Sequence, residues 1–302
     1  MERIGFAGLG LMGAGMASNI LAKGYPLTVI AHRQREAVDR IVHAGATEVM
    51  TPRELAERSD VVFLCVTGAP QVEALAEGDN GLLAGAHPGL VIVDCSTSLP
   101  ETTRRLAARL AASGAELVDA PLGGTPTQAE AGELQAIIGG DEATIERLRP
   151  VLATWTSKIV HVGPTGAGHT MKLLNNFLAM GYGAIFAEAL AIGARAGITP
   201  QTFDSVIRGS RMDSGYYRTF FQYVLERDRD AHRFTLRNAQ KDMDYFNQLA
   251  EDVEVDAPVG RAVRDRYREA VDGGFAERFV PELSDVIAQR YGIDLDTQKK
   301  SR

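Results

Sequence analysis

Cysteine is scarce in this chain, and a surplus of basic residues is absent. Only two of the 302 residues are cysteines, so a disulfide framework is not expected and a reducing cytoplasm is the default location. The formal net charge is −7, which argues against a nucleic-acid-binding protein, because neutralising phosphates requires clustered Lys and Arg. Any anionic substrate must therefore be held by local groups.

Long hydrophobic runs and metal-binding spacings are missing too. The uninterrupted apolar run from Phe177 to Ala187 has about 11 residues where a membrane span needs roughly 20, so a buried core helix is the better interpretation. No basic segment followed by a long apolar one is visible at the N-terminus, so no signal peptide is expected. The six histidines form no HxxxH or CxxC-type cluster, and His232 lies in what reads as a solvated, charged run. We therefore expect no metal and no membrane.

The chain contains 45% hydrophobic residues, arranged in two successive patterns. Short β-branched runs alternate with helical patterns in the first half, which is typical of βαβ units and a parallel sheet. Predicted strands occupy residues 3–7, 27–31, 61–66, 90–94, 116–120, 134–139 and 158–162. After the turn-rich "GPTGAGH" the pattern is helical. We predict an α/β fold, with a Rossmann-type doubly wound sheet in residues 1–163 and an all-α domain in residues 164–302 that completes the substrate cleft.

A glycine-rich loop follows the first predicted strand and precedes the first predicted helix, reading "GLGLMG". This Gly-x-Gly-x-x-Gly spacing permits a tight turn, backbone approach to a pyrophosphate and close helix–strand packing. The alternative is a glycine-rich turn without a ligand. Predicted cofactor contacts are the loop residues and the end of the third predicted strand: Gly8, Leu9, Gly10, Leu11, Met12, Gly13, Cys65 and Val66.

The end of the second predicted strand reads "TVIAHRQRE". An acidic residue there would bind the ribose 2′-hydroxyl of NAD, but none stands at Ala31, His32 or Arg33. Arg33 and Arg35 could meet a 2′-phosphate instead. The sequence therefore favours NADP, with His32 and Arg33 as cofactor contacts. NAD stays possible if the arginines are only solvated charges.

A second glycine-rich segment follows the fifth predicted strand, in "VDAPLGGTP". Successive backbone amides at Gly123, Gly124 and Thr125 could form an anion-binding concavity for a carboxylate. A plain strand-to-helix connection has the same spacing, so the residues alone do not decide between the two.

A polar stripe marks the start of the longest predicted helix. Lys172, Asn175 and Asn176 are spaced i, i+3 and i+4, which places them on one side of the helix. Such groups are rarely left unpaired on an apolar helix. The stripe is either a satisfied polar network or a proton donor with a substrate-holding amide beside it.

With these pieces in place, nearly the whole chain resembles the β-hydroxyacid dehydrogenase family, through four ordered motifs: "GLGLMGAGMASNILAKG", "DCSTSLPETTRRLA", "DAPLGGTPTQAEAGEL" and "GPTGAGHTMKLLNN". The resemblance implies that Lys172 is the catalytic acid/base and that Asn176 binds substrate. It also implies that Ser96 contacts substrate, that Thr97 contacts cofactor, and that Lys241, in "KDM", approaches the cofactor. A surface Lys–Asp pair is the alternative for Lys241. The family resemblance further implies a homodimer or homotetramer.

Two departures from the family pattern concern the substrate loop. Gly123 stands where the family segment DAPVSGG has its serine, and Thr125 replaces its last glycine. The substrate is therefore expected to differ from the family's commonest ones. The related sulfolactaldehyde reductases carry an arginine where this chain has Gly124, so a sulfonate substrate is not favoured.

The expected function is reversible hydride transfer between NADP(H) and a small anionic β-hydroxyacid or its semialdehyde. Two alternatives remain open. An imine reductase would share the architecture, although that group usually lacks a lysine at the position of Lys172. A non-catalytic dinucleotide-binding module would report redox state to a partner.

Overall fold

A computed structural model describes residues 1–30 and 35–296 of the chain. The chain divides into two compact units, one from Met1 to Lys172 and one that begins at Leu173. Each unit has its own hydrophobic core. The domain boundary expected between residues 163 and 164 stays a prediction.

The first unit is built on one sheet. Its strands are β1 (Ile4–Ala7), β2 (Leu27–Ile30), β3 (Thr47–Val49), β4 (Val61–Leu64), β5 (Val91–Asp94), β6 (Glu116–Asp119), β7 (Leu122–Gly123), β8 (Leu134–Gly139) and β9 (Thr156–Gly163). Strands β3, β2, β1, β4, β5 and β6 follow one another in parallel. β8 runs antiparallel to β6 and β7, and β9 runs parallel to β8. This is the predicted doubly wound architecture with two strands, β8 and β9, running in the reverse direction.

Two strands escaped the sequence prediction because they are too short to show a period. β3 has three residues and β7 has two. The predicted strand at 61–66 ends at Leu64 in the structure, so Cys65 and Val66 follow the strand instead of belonging to it. They stand at the carboxyl end of the sheet, where ligands of open α/β sheets bind.

The helices of this unit are α1 (Gly13–Ala22), α2 (Arg35–His43), α3 (Pro52–Glu57), α4 (Ala69–Ala76), α5 (Pro100–Ala111), α6 (Pro126–Ala131) and α7 (Glu142–Leu152), with a 3₁₀ turn at Leu82–Gly85. The central strands are buried along their whole length, as expected for a parallel sheet covered on both faces. Phe63 packs against Phe6 and Trp155 on one face. Its neighbour Leu64 belongs to the core on the other face, because successive strand residues point to opposite sides.

The second unit is helical. Helix α8 (Ala167–Arg195) begins in the first unit and is followed by α9 (Pro200–Ile207), α10 (Gly215–Glu226), α11 (Leu236–Asp252), α12 (Pro258–Ala270) and α13 (Leu283–Arg290), with a π-helical turn at Val271–Phe275 and a 3₁₀ turn at Val280–Glu282. As far as residue 296 it contains no strand, only an isolated bridge between Thr235 and Phe279. The all-α prediction is therefore confirmed.

Helix α8 is less buried than predicted. Leu178, Ile185 and Ile192 are 54%, 60% and 64% exposed, and their seven-residue spacing places them on one stripe of the helix. Length and composition alone would let α8 cross a membrane, but core helices of soluble proteins pass the same test, so this is weak evidence. The sequence did not reveal the stripe because the residues on the other faces are apolar too.

His232 lies in an aromatic environment, which corrects the predicted solvated run. Its ring centroid is 5.5 Å from that of Tyr216 and 6.5 Å from that of Phe234. Burial lowers the pKa of His232 to about 4, because a low-dielectric surrounding disfavours the charged imidazole.

The free energy of unfolding is expected to fall as the pH drops from about 6.5 towards 4, because in this window the unfolded chain binds a proton at His232 that the folded chain does not bind. Urea unfolding at pH 7 and pH 5 measures the loss. It should be smaller in His232→Gln and unchanged in a control at the exposed His43 of α2, His43→Gln. An equal loss in His232→Gln and in the unsubstituted chain would contradict the assignment.

Candidate active site

The loop between β1 and α1, together with the first residue of α1, contains three glycines that differ in how closely other atoms approach them. Gly8 has φ +101°, and a Cβ on it would lie 2.2 Å from the carbonyl oxygen of Cys65. A Cβ on Gly13 would lie 2.0 Å from the carbonyl oxygen of Gly8. In the described part of the chain, a Cβ on Gly10 would meet nothing within 4 Å. The fold itself therefore requires Gly8 and Gly13, whereas Gly10 leaves open space at the start of α1.

The start of α1 has the properties of an anion site. No side chain caps it at Met12, and its first turn carries no acidic residue, so its N–H groups and positive dipole end are available to a phosphate. A cavity of about 670 Å³ adjoins it, bordered by Gly10, Leu11, Arg35 and Arg40. These residues fit the phosphates of a dinucleotide.

Of the residues predicted to contact a 2′-phosphate or the adjoining ribose, the structure describes only Arg35. His32 and Arg33 lie outside the described residues. The guanidinium of Arg35 lies 2.6 Å from Asp39 and 2.5 Å from Glu48. Two carboxylates therefore neutralise Arg35, and the case for a 2′-phosphate depends on Arg33.

Ser96 joins the ends of two neighbouring strands. Its hydroxyl accepts a hydrogen bond from the Val66 N–H at 3.0 Å, and its own N–H donates to Asp94 Oδ1 at 2.9 Å. Burial raises the pKa of Asp94, and the hydrogen bonds from Ser96 oppose the rise. The structure thus gives Ser96, which is 2% exposed, a structural role beside its predicted contact with substrate. Its neighbour Thr97 is partly exposed.

Cys65 is a packed thiol at the end of β4. Burial raises its pKa to about 12, so the thiolate that would make it reactive is not formed at neutral pH. Its place beside Gly8 suits a packing role under the glycine-rich loop.

A buried polar network anchors the start of α8 to the sheet. Asp119, at the end of β6, accepts the N–H groups of Gly166 and His169, both at 2.7 Å. The His169 ring contacts the Ser96 carbonyl through Nε2 at 3.1 Å and the Thr103 hydroxyl through Nδ1 at 2.7 Å. Because a carbonyl can only accept, Nε2 carries the hydrogen. The network therefore ties the helix that carries Lys172 to the loops after β5 and β6.

Lys172 lies against the second glycine-rich loop. Its Nζ donates to the Leu122 carbonyl at 2.7 Å, one residue before Gly123. Gly124 has φ +127°, a conformation that favours glycine. Thr125 caps α6 through a reciprocal capping box with Gln128. The first unit thus brings together Lys172, Gly123 and Gly124, while Thr125 has a defined structural task.

In the second unit, a buried carboxylate joins two of the predicted site residues. Asp242 accepts a hydrogen bond from Asn176 Nδ2 at 2.6 Å, and its other oxygen lies 2.8 Å from Lys241 Nζ. Lys241 also stands 4.9 Å from the Tyr245 ring centroid. Because Asp242 is only 1% exposed, this is more than a surface pair. Asn175 is exposed.

Two residues of these networks, Asp119 and His169, were missed in the sequence, and Asp242 was considered only as the partner in a surface pair, although all three lie within the motifs given above. Asp119 begins "DAPLGG", His169 belongs to "GAGHTMK" and Asp242 is the centre of "KDM". Each is an ionisable residue at the end of an apolar strand or on an apolar helix face. Because buried polar groups need partners, this pattern indicates a polar network. Among residues 1–30 and 35–296 no His, Cys, Asp and Glu cluster could hold a metal ion.

Comparison with known proteins places the chain. Residues 3–163 match the family model for the NAD binding domain of 6-phosphogluconate dehydrogenase, and residues 166–280 match that for the NAD-binding segment of NADP-dependent 3-hydroxyisobutyrate dehydrogenase. The NAD-dependent L-serine dehydrogenase of Pseudomonas aeruginosa is 34% identical, over 92% of this chain and 95% of its own. The 2-(hydroxymethyl)glutarate dehydrogenase of Eubacterium barkeri is 40% identical, over 68% of each chain.

A solved structure of Mycobacterium tuberculosis 3-hydroxyisobutyrate dehydrogenase with L-serine superimposes with a TM-score of 0.85, at 26% identity, covering 95% of this chain and 99% of that one. Sequence motifs, fold and relatives agree over nearly the whole length. The chain belongs to the β-hydroxyacid dehydrogenase family of NAD(P)-dependent oxidoreductases.

Proposed function

We propose that this protein is an NADP-dependent oxidoreductase that transfers a hydride between nicotinamide and a small β-hydroxyacid or its semialdehyde, with Lys172 as general acid/base. The observation that carries the proposal is the Lys172 ammonium, held on the Leu122 carbonyl at 2.7 Å beside Gly123 and Gly124. A cation at an amide-rich loop can hold an anionic substrate and move a proton.

The cofactor proposal rests on the loop at Gly8 to Gly13 and on the uncapped start of α1. Cys65, Val66 and Thr97 follow strands at the same edge of the sheet, and Lys241 is proposed to approach the cofactor. The bound nicotinamide supplies or accepts the hydride. Because no acidic residue stands at 31–33, we propose NADP over NAD.

The proton step belongs to Lys172. In the reducing direction its ammonium donates a proton to the developing alkoxide, and in the oxidising direction its amine accepts the proton of the hydroxyl. The Leu122 carbonyl accepts one ammonium hydrogen and so fixes the position of Nζ. Asn176, one helical turn further along α8, is proposed to bind the substrate, with its amide oriented by Asp242.

The substrate class follows from the loop and from the names of the relatives. The amides of Gly123 and Gly124 are proposed to hold the carboxylate. L-serine, 2-(hydroxymethyl)glutarate and 3-hydroxyisobutyrate are named for the relatives above. All three carry a primary hydroxyl one carbon away from the carbon that bears the carboxylate. We propose a substrate of this class, oxidised at the primary hydroxyl.

A panel of these three acids, run in parallel with NADP⁺ and NAD⁺, tests the proposal through the absorbance of the reduced nicotinamide. Turnover of at least one acid, with a higher kcat/KM for NADP⁺, is expected. Absence of turnover with every acid would contradict the enzyme assignment. A strong preference for NAD⁺ would contradict only the reading of Arg33.

Substituting Gly10 by valine is expected to weaken NADPH binding at least tenfold while leaving the melting temperature unchanged. A Cβ at this position comes within 4 Å of no atom of the described residues apart from its chain neighbours, but a side chain here would occupy the space that a pyrophosphate needs. Titration of NADPH fluorescence measures the affinity. Gly13→Val is the contrasting variant, expected to lower the melting temperature, because its Cβ would overlap the Gly8 carbonyl. Unchanged NADPH affinity in Gly10→Val would contradict the placement of the cofactor.

The two alternatives have less support. A lysine at position 172 of α8, with its Nζ against an amide-rich loop, suits a carbonyl substrate that gains a proton on oxygen, which an imine reductase does not require. A non-catalytic module would not need an ammonium fixed in this place. Turnover in the panel separates both alternatives from the proposal.

We also propose that the protein is a homodimer or homotetramer of the cytoplasm, associating through the second unit. The stripe of Leu178, Ile185 and Ile192 borders a groove of about 640 Å³ together with Val259 and Ala262 of α12. An exposed apolar surface of this kind is typical of an association site, and a second copy of the chain is the proposed occupant. Light scattering measures the molar mass of the unsubstituted protein and of Ile185→Glu in solution. The variant is expected to have the lower mass, because a charge on the stripe opposes association.

A further inference from the structure

Gln135 lies beside Gly123, a residue of the substrate loop that has no side chain. In the sheet, Gly123 of β7 stands directly opposite Gln135 of β8. A Cβ on Gly123 would lie 3.4 Å from the Cβ and 3.5 Å from the Oε1 of Gln135. The glutamine amide is therefore the polar group next to the place where the family pattern has a serine hydroxyl.

The first turns of α8, which carry Lys172, run close to the strand that carries Gln135. A Cβ on Gly168 would lie 2.6 Å from the carbonyl oxygen of Ile137, so the helix rests on β8 at that residue. Four helical residues advance by about 6 Å, and two strand residues by about 6.6 Å. Lys172 is four residues after Gly168, and Gln135 is two strand residues from Ile137, so the step along the helix matches the step along the strand.

The hydrogen bond of Lys172 agrees with this register. Its Nζ contacts the carbonyl of Leu122, which stands opposite Ala136, the neighbour of Gln135. Alternation along β8 supports the same placement. Leu134, Ala136 and Ile138 point into the core on one face, so Gln135 points to the other.

The amide of Gln135 is available for a ligand. In residues 1–30 and 35–296, no hydrogen bond or ion pair involves its side chain, and the residue is partly exposed. An amide offers two N–H donors and one acceptor oxygen. Leaving these groups opposite an apolar substituent of a bound substrate would cost binding energy, whereas a polar substituent would satisfy them.

We propose that Gln135 is a specificity-determining residue whose amide hydrogen-bonds the substituent on the α-carbon of the substrate. This inference rests on the proposed function above. The three acids of the panel differ only in this substituent, which is an ammonium in L-serine, a carboxyethyl group in 2-(hydroxymethyl)glutarate and a methyl group in 3-hydroxyisobutyrate. Gln135 therefore selects β-hydroxyacids with a polar α-substituent over the one with a methyl group.

The test compares kcat/KM for the three acids in the unsubstituted enzyme, in Gln135→Met and in Gln135→Glu. Methionine keeps the length of the side chain and removes its hydrogen-bonding groups. We expect the preference for the best polar acid over 3-hydroxyisobutyrate to fall about tenfold or more, since one hydrogen bond to a charged group is lost. Gln248→Met is the matched control, because Gln248 is exposed on α11 and its side chain donates a hydrogen bond to Asp252 of the same helix. The control should keep the original preference.

The charge variant gives a second, directional readout. In Gln135→Glu, the ratio of kcat/KM for L-serine to that for 2-(hydroxymethyl)glutarate should rise at least tenfold, because the new carboxylate attracts an ammonium and repels a carboxylate. Melting temperature and NADPH affinity are measured for each variant. If Gln135→Met fails to fold, Gln135→Glu decides alone.

The outcomes separate the two levels of the proposal. No hydride transfer with any acid in the unsubstituted enzyme would overturn the proposed function and this inference with it. An active enzyme that prefers 3-hydroxyisobutyrate, or whose preferences are unchanged in both folded Gln135 variants, would overturn the role of Gln135 and leave the proposed function standing.

Discussion

Replacing Lys172 with alanine is expected to lower kcat by about 10²- to 10⁴-fold, the range for losing a positioned general acid. In the structure the ammonium is fixed by the Leu122 carbonyl, and alanine has no group that could carry the proton. Steady-state kinetics in both directions measures the loss. NADPH affinity should stay unchanged, since Lys172 acts on the substrate.

Lys158→Ala is the matched control, because Lys158 is an exposed lysine on β9. Its kcat should match that of the unsubstituted enzyme. Lys172→Arg adds a further check, because arginine keeps the charge but does not release a proton near neutral pH. It should bind the acids while remaining slow. Near-normal turnover in Lys172→Ala would contradict the assignment of the proton donor.

Substitution of Asp119 by alanine is expected to lower the free energy of unfolding by about 3 kcal/mol, since two hydrogen bonds to a buried charged group are lost at once. The N–H groups of Gly166 and His169 would both lose their acceptor. The dipole at the start of α8 would lose a negative charge as well. Urea unfolding measures the change.

The control for this variant is Asp141→Ala. Asp141 also accepts two N–H groups, at the start of α7, but it is exposed. Its loss should cost about 1 kcal/mol. If both variants lose the same stability, Asp119 is not the anchor of α8. Because the anchored turn carries Lys172, kcat of folded Asp119→Ala should also fall, whereas that of Asp141→Ala should not.

The sequence was sufficient for the architecture where segments are long and periodic. Strand β8 was predicted with the observed bounds, at residues 134–139. The reversal of β8 could not be predicted. The direction of a strand depends on how it pairs with other strands, here β6 and β7, and a residue pattern within the strand does not specify that pairing.

The sequence named candidate site residues but did not indicate which atoms those residues contact. The motifs named Lys172, yet its partner is the backbone carbonyl of Leu122, which no sequence pattern encodes. Ser96 was predicted to contact the substrate, whereas in the structure its hydroxyl accepts a hydrogen bond from the Val66 N–H. The pairing of Asn176 with Asp242 joins residues 66 positions apart. Such contacts depend on packing, which local residue patterns do not specify.

The most direct test of the proposed chemistry uses NADPH carrying deuterium at the transferable position of the nicotinamide ring. The semialdehyde of the best substrate in the panel is reduced, and the product is examined by mass spectrometry and NMR. Direct hydride transfer to the carbonyl carbon predicts one deuterium atom on the carbon that bears the new hydroxyl. A product without deuterium at that carbon would contradict it.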